Sequence, residues 1–198
     1  MPDASIRAPL NEVPPAHAAS SQNLGNLCRL GGIAALLLMV YSLATMVQLV
    51  VLGGQPSSAA QAFDLLQHHR AVALLRLDLP TIAILPFYYL LFLGLFAALR
   101  RTSYTNALLS TLLAFVGVTL VLATPTALSM VPLSDKFAAA TSDAELCQLR
   151  AVGEALLATD IWHSTGAIVG GMLIQSGAIL SSLVMLRGDV LTTLTGWL

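Results

Sequence analysis

Four long apolar runs, separated by shorter polar stretches, dominate the hydropathy pattern of this chain. They fall at about 30–53, 79–99, 107–131 and 161–186. Each holds roughly 20 or more residues with no charge at its midpoint, enough to cross the roughly 30 Å hydrocarbon layer as a helix rising 1.5 Å per residue. Between the first two, Phe63, Leu65, Leu66, Val72, Leu74, Leu75 and Leu77 alternate with Asp64, His68, His69, Arg70 and Arg76, an uneven amphipathic pattern of helical period over 59–78. It predicts a helix at the membrane surface or an extension of the second span. A clearer pattern occupies 141–159, where Leu146, Leu149, Val152, Gly153, Leu156 and Leu157 recur at threes and fours. Thr141 or Ser142 is positioned as its cap, with Asp143 and Glu145 in the first turn.

Prolines refine the spans. Pro80 lies where a first-turn proline is tolerated, Pro86 is expected to kink the second span, and Pro125 and Pro132 bracket the end of the third. Residues 1–26 are polar and hold Pro2, Pro9, Pro14 and Pro15, which predicts a disordered tail. The first apolar run exceeds a signal-peptide core in length, so it reads as an uncleaved signal anchor. The SSAAQA stretch that follows resembles a cleavage pattern and keeps the alternative open. Residues 190–198 form an apolar piece too short to cross a bilayer: either a surface segment or the start of a further span. The expected organisation is therefore a tail at 1–26 and an all-α bundle at 27–189 of four spanning helices and two amphipathic interfacial ones.

Composition agrees. Of 198 residues, 57% are hydrophobic and 10% charged, against about 25% charged in soluble domains. So much apolar surface needs lipid as solvent. A net charge of -1 with few, scattered Lys and Arg excludes a nucleic-acid footprint. Cys28 and Cys147 are too few for a disulfide framework or zinc cluster, and on this topology they lie on opposite sides of the membrane. Arg29, Arg100, Arg101 and Arg187 abut span ends on one side, whereas Arg70, Arg76, Lys136 and Arg150 lie on the other, mostly further from span ends. The expected location is the cytoplasmic membrane, with both termini inside.

Candidate chemistry is confined to the entrances of the spans: Arg76 and Asp78 before the second, Glu154, Asp160 and His163 before the fourth. Asp160 and His163 stand three apart, which admits a proton-relay or metal-binding pair. The alternative is a capping aspartate with Trp162 and His163 at headgroup level. With no third ligand at metal spacing, no metal and no cofactor is expected. The chain also lacks GxSxG, P-loop and GxGxxG patterns, which lowers an enzyme assignment. A second signal is the stripe Gly166, Gly170, Gly177 and Ser181, which lies near one face of the fourth span and permits close helix approach. That approach is either to the second or third span or to another membrane protein or second copy. Gln48, Thr124 and Gln175 are expected to bond neighbouring helices.

Four stretches, LDLP at 77–80, FLGLFAALRR at the end of the second span, LRAVGEALLA at 149–158, and GAIVGGMLIQSG running on to VMLRG, resemble a bacterial family of multi-pass membrane proteins defined by a domain of unknown function. The resemblance implies a membrane bundle that continues beyond residues 195–198, and carries over no catalytic residue. The functional expectation is a structural or interaction role, as an accessory or sensory subunit. The competing classes are a small transporter component and an interfacial enzyme built on Glu154, Asp160 and His163.

Overall fold

The computed structural model describes residues 15–77, 79–124 and 127–187, with side chains from 24 onward. Helix is the only regular structure among the described residues: α1 Pro15–Leu52, α2 Ala59–His68, α3 Arg70–Arg76, α4 Leu79–Ile84, α5 Pro86–Leu99, α6 Tyr104–Leu122, α7 Ala127–Ala139, α8 Asp143–Ala158 and α9 Thr165–Arg187. Four stretches of helix are long and apolar enough to span a membrane: Leu24–Leu52, Leu79–Leu99, Tyr104–Ala139 and Thr165–Arg187. The all-α polytopic bundle expected from hydropathy is the observed fold.

α1 begins earlier than the composition of the leader suggests. Residues 15–26, read above as tail, continue the first span toward the N-terminus. Pro15 stands at the first helical position, where its missing N–H costs nothing and its φ is already helical. Once the apolar run has nucleated a helix, each added Ala, Ser or Gln contributes one backbone bond per residue ordered, so the helix propagates outward. The rest of the expected tail, 1–14, and the apolar piece at 190–198 lie outside the described residues.

The second span is α4 and α5 in series. The break falls at Leu85, immediately before Pro86, as the missing proline N–H demands. The third span departs from expectation. α6 stops at Leu122, ahead of Pro125, and α7 resumes at Ala127. Residues 127–131, the last part of the expected span, form the start of α7, which packs against α2 and α8. Ala127 and Met130 join Ala59, Ala62, Phe63, Leu66, Ala73, Leu77 and Leu157 in a buried apolar cluster shared by α2, α3, α7 and α8. The physical reason is that α7 is itself amphipathic, burying Ala127, Met130 and Ser134 while carrying Asp135 and Lys136 on its exposed side. Phe63 stacks on Phe137 with ring centroids 4.8 Å apart, and Ser134 Oγ donates to the Phe63 carbonyl at 3.5 Å. The two amphipathic connections thus form a helical layer over one end of the bundle, in which each supplies the other's apolar partner.

Small residues set the closest crossings. Between α6 and α9, a Cβ on Gly170 would lie 2.6 Å from the Gly117 carbonyl oxygen, and one on Gly177 2.7 Å from that of Ser110. Gly166 faces Thr124. Ser110 Oγ donates to the Gly177 carbonyl at 2.9 Å, and its hydroxyl also pairs with that of Ser181. The glycine stripe is therefore occupied within the molecule, against the third span. α1 approaches α5 at Gly31 and Gly94, whose Cα would stand 2.7 Å from a Cβ on Gly31. At the same crossing Cys28 Sγ–H donates to the Gly94 carbonyl at 3.9 Å. The opposite face of α1, with Ile33, Val40, Leu43, Val47 and Val50, is exposed, as the lipid-facing side of a spanning helix would be.

Candidate functional site

The site lies where the helical layer meets the ends of the spans, around the connection 53–58 and the turn 159–164. α1 ends at Gly53, which takes φ +82°, the left-handed conformation that glycine adopts readily at a helix C-terminus. Arg76, from the last turn of α3, donates through Nε to the Gly54 carbonyl at 2.7 Å. A cation beside the negative end of the α1 dipole is favourable there. Gln48 Nε2 donates to the Leu75 carbonyl at 2.7 Å, tying α1 to α3 one turn earlier.

Asp160 organises the facing turn. Its side chain is wholly buried, and Oδ1 accepts from the backbone N–H of Trp162 and of His163, each at 2.8 Å, and from His163 Nδ1 at 2.9 Å. Asp160 therefore closes a turn ahead of the helix. It is Ser164 that caps α9, its Oγ accepting from Ala167 N at 3.1 Å. The fourth span accordingly starts at Thr165 and not at Ile161, and the Asp160–His163 pair arises from the turn instead of from a shared helix face. Asp160 Oδ2 is buried and has no hydrogen-bond partner among the described residues, and the same holds for Gln55 Nε2.

Two cavities open at these groups. The first, about 390 Å³, is lined by Met46 and Leu49 on α1 together with Trp162, Arg76, Gln55 and His163. The second, about 510 Å³, is walled by Gln55, Ser57, Glu154, Leu157, Asp160 and His163. Gln55 and His163 border both. One cavity thus carries a guanidinium and apolar walls, and the other carries two carboxyl groups. A third space of about 340 Å³, lined by Thr81, Val121, Ile161 and Ile168 among others, shares Trp162 with the first.

Of the predicted polar cluster, Asp160 and His163 bond directly, Glu154 shares their cavity, and Arg76 lies in the adjoining one. Glu154 is partly committed to structure, since its Oε1 accepts from Ala59 N at 2.8 Å at the start of α2. Asp78 lies outside the described residues. Among the described residues no three His, Cys, Asp or Glu side chains are grouped to hold a metal. Sequence reasoning passed over Gln55, Ser57 and Trp162 as parts of a site. Gly53 to Ser58 reads only as a turn, and nothing along the chain marks which of its side chains will meet a residue a hundred positions later. Of the intramembrane polar residues, Gln48 bonds a neighbouring helix as expected, while Thr124 turns back onto its own helix at Val121.

Comparison of the chain with protein-family models, with curated proteins and with solved structures gives no match. The class defined by the fold is thus a four-span helical membrane bundle capped at one end by an amphipathic helical layer.

Proposed function

We propose that this chain is a non-catalytic multi-pass protein of a bacterial cytoplasmic membrane, an accessory or sensory subunit that acts by binding an amphiphile at the capped end of its bundle. The observation that carries the reading is the 390 Å³ cavity. Met46, Leu49 and Trp162 contribute apolar lining and Arg76 a guanidinium, held at the level where the first span terminates by its bond to the Gly54 carbonyl. An apolar body with an anionic head matches that arrangement. Transport would call for a polar path between spans. Instead, the buried hydroxyls there, Ser110, Thr111 and Ser181, bond one another and backbone carbonyls. Membership of the multi-pass family resembled by the four stretches above is proposed on those stretches alone.

One observation favours a second reading, an interfacial hydrolase. The Asp160–His163 bond has the orientation of the acid–imidazole half of a catalytic triad, and Ser57 borders the same cavity. Against it, Ser57 Oγ donates to Gln61 Oε1 at 3.2 Å instead of to the imidazole, so the nucleophile is not activated.

Filling the cavity tests the binding reading. Leu49→Trp is expected to lower the lipid retained by the full chain purified in mild detergent, measured by native mass spectrometry, by at least about one molecule per protein. Equal retention by variant and wild type defeats it. Orientation has its own measurement. Arg29, Arg100, Arg101 and Arg187 stand at the uncapped end of the bundle, which supports an inside location for that end. A C-terminal green fluorescent protein fusion should fluoresce, and alkaline phosphatase inserted between α7 and α8 should be active. The opposite pair of results inverts the topology.

A further inference from the structure

Two buried polar atoms at the capped end lack partners among the described residues, and their needs are opposite. Gln55 Nε2 is a donor and Asp160 Oδ2 an acceptor. A buried polar atom without a hydrogen bond is costly, a carboxylate oxygen more so. Both residues border the 510 Å³ cavity, and Gln55 also borders the 390 Å³ one.

The charges divide the same way. The larger cavity has the carboxyls of Asp160 and Glu154 and so takes a cation. The smaller has Arg76, whose guanidinium keeps donors beyond the Nε bonded to Gly54, and so takes an anion. Its Met46 and Leu49 wall, and the apolar space beyond Trp162, then accommodate hydrocarbon. Gln55 and His163 border both charged cavities and Trp162 borders the first and the third space, so one ligand reaching all three would carry a cationic group, an anionic group and acyl chains.

We infer that the amphiphile is a phospholipid with a primary-ammonium head, of the phosphoethanolamine type; this rests on the amphiphile-binding reading above. The ammonium sits at Asp160 and Glu154, the phosphate at Arg76 and Gln55, with His163 between them, and the chains run past Trp162. A primary ammonium brings three N–H donors, so it can satisfy Asp160 Oδ2 while bonding Glu154. A trimethylammonium head has no N–H to offer, and a glycerol head has no positive charge.

The test uses the full chain, delipidated in detergent, titrated separately with dioleoyl phosphatidylethanolamine, phosphatidylcholine and phosphatidylglycerol and followed by native mass spectrometry. The ethanolamine lipid should bind at least about tenfold more tightly than either of the others, the value of one charge-assisted hydrogen bond. Asp160→Asn keeps Oδ1 for the turn but replaces the orphan acceptor with a donor, and should abolish the preference for the ethanolamine lipid over the glycerol lipid. Glu154 is exposed, so Glu154→Gln, which keeps an oxygen for Ala59 N, carries the same test should the first variant fail to fold. Equal affinity for all three lipids overturns the head-group assignment and leaves the amphiphile site standing. A preference for the ethanolamine lipid that survives both substitutions overturns the assigned site. No lipid bound at all removes this inference together with the reading beneath it.

Discussion

Gly170→Leu is expected to unfold the α6–α9 pair, with a loss of about 3 kcal/mol or more, the upper range for overfilling a packed contact. The first added atom alone would lie 2.6 Å from the Gly117 carbonyl oxygen and 2.8 Å from Val121 Cγ2. The oxygen is backbone on a helix, so it has no rotamer through which to move aside; the helices must separate along the crossing. Separation also pulls Ser110 from the Gly177 carbonyl and from Ser181, which leaves buried hydroxyls unpaired. Reversible unfolding in mixed micelles, with Gly171→Leu as control, measures the effect. No atom lies within 4 Å of a Cβ on Gly171, so that control should stay within about 0.5 kcal/mol of wild type, as substitutions away from packed features do. Equal behaviour of the two variants would show that α6 and α9 do not cross at this glycine.

Asp160→Ala should be the most damaging change at the capped end, by about 3 kcal/mol, because it strips the partner from two backbone N–H groups and one imidazole N–H. Removing a fully buried, largely bonded group also leaves a cavity that the turn cannot fill. The expected readout is a lowered midpoint in detergent and accelerated proteolysis between α8 and α9. His163→Ala removes only the imidazole bond. His163 is mostly exposed, with a side-chain accessibility of 68%, so its loss should cost under about 1 kcal/mol. A midpoint for Asp160→Ala no lower than that for His163→Ala would mean that the carboxylate does not hold the turn.

Much of the bundle is legible from the chain alone, because hydrophobic thickness and helix rise are one-dimensional quantities. The second span, the body of the fourth, the kink at Pro86 and the close-packing stripe at Gly170 and Gly177 follow from local spacing and local backbone chemistry, as does a cap at Thr141 or Ser142, of which Ser142 is the one that accepts from Glu145 N. The polar candidates too were findable, since ionisable groups at span entrances are few and Asp160 and His163 are close in sequence. Long-range pairing was not legible. That α7 leaves the third span to cover Phe63 depends on a partner surface about 70 residues away, and an amphipathic face does not name what it will meet. The same holds for Gln55, whose meeting with Asp160 and His163 around shared space requires α1, α3 and α8 to be in place first. Hydropathy by itself determined how many helices are long and apolar enough to cross a membrane. Only tertiary packing decided which small residues touch, which acids share a cavity with which base, and hence where a ligand can sit, because those contacts are set by the docking of helices and not by any spacing along one of them.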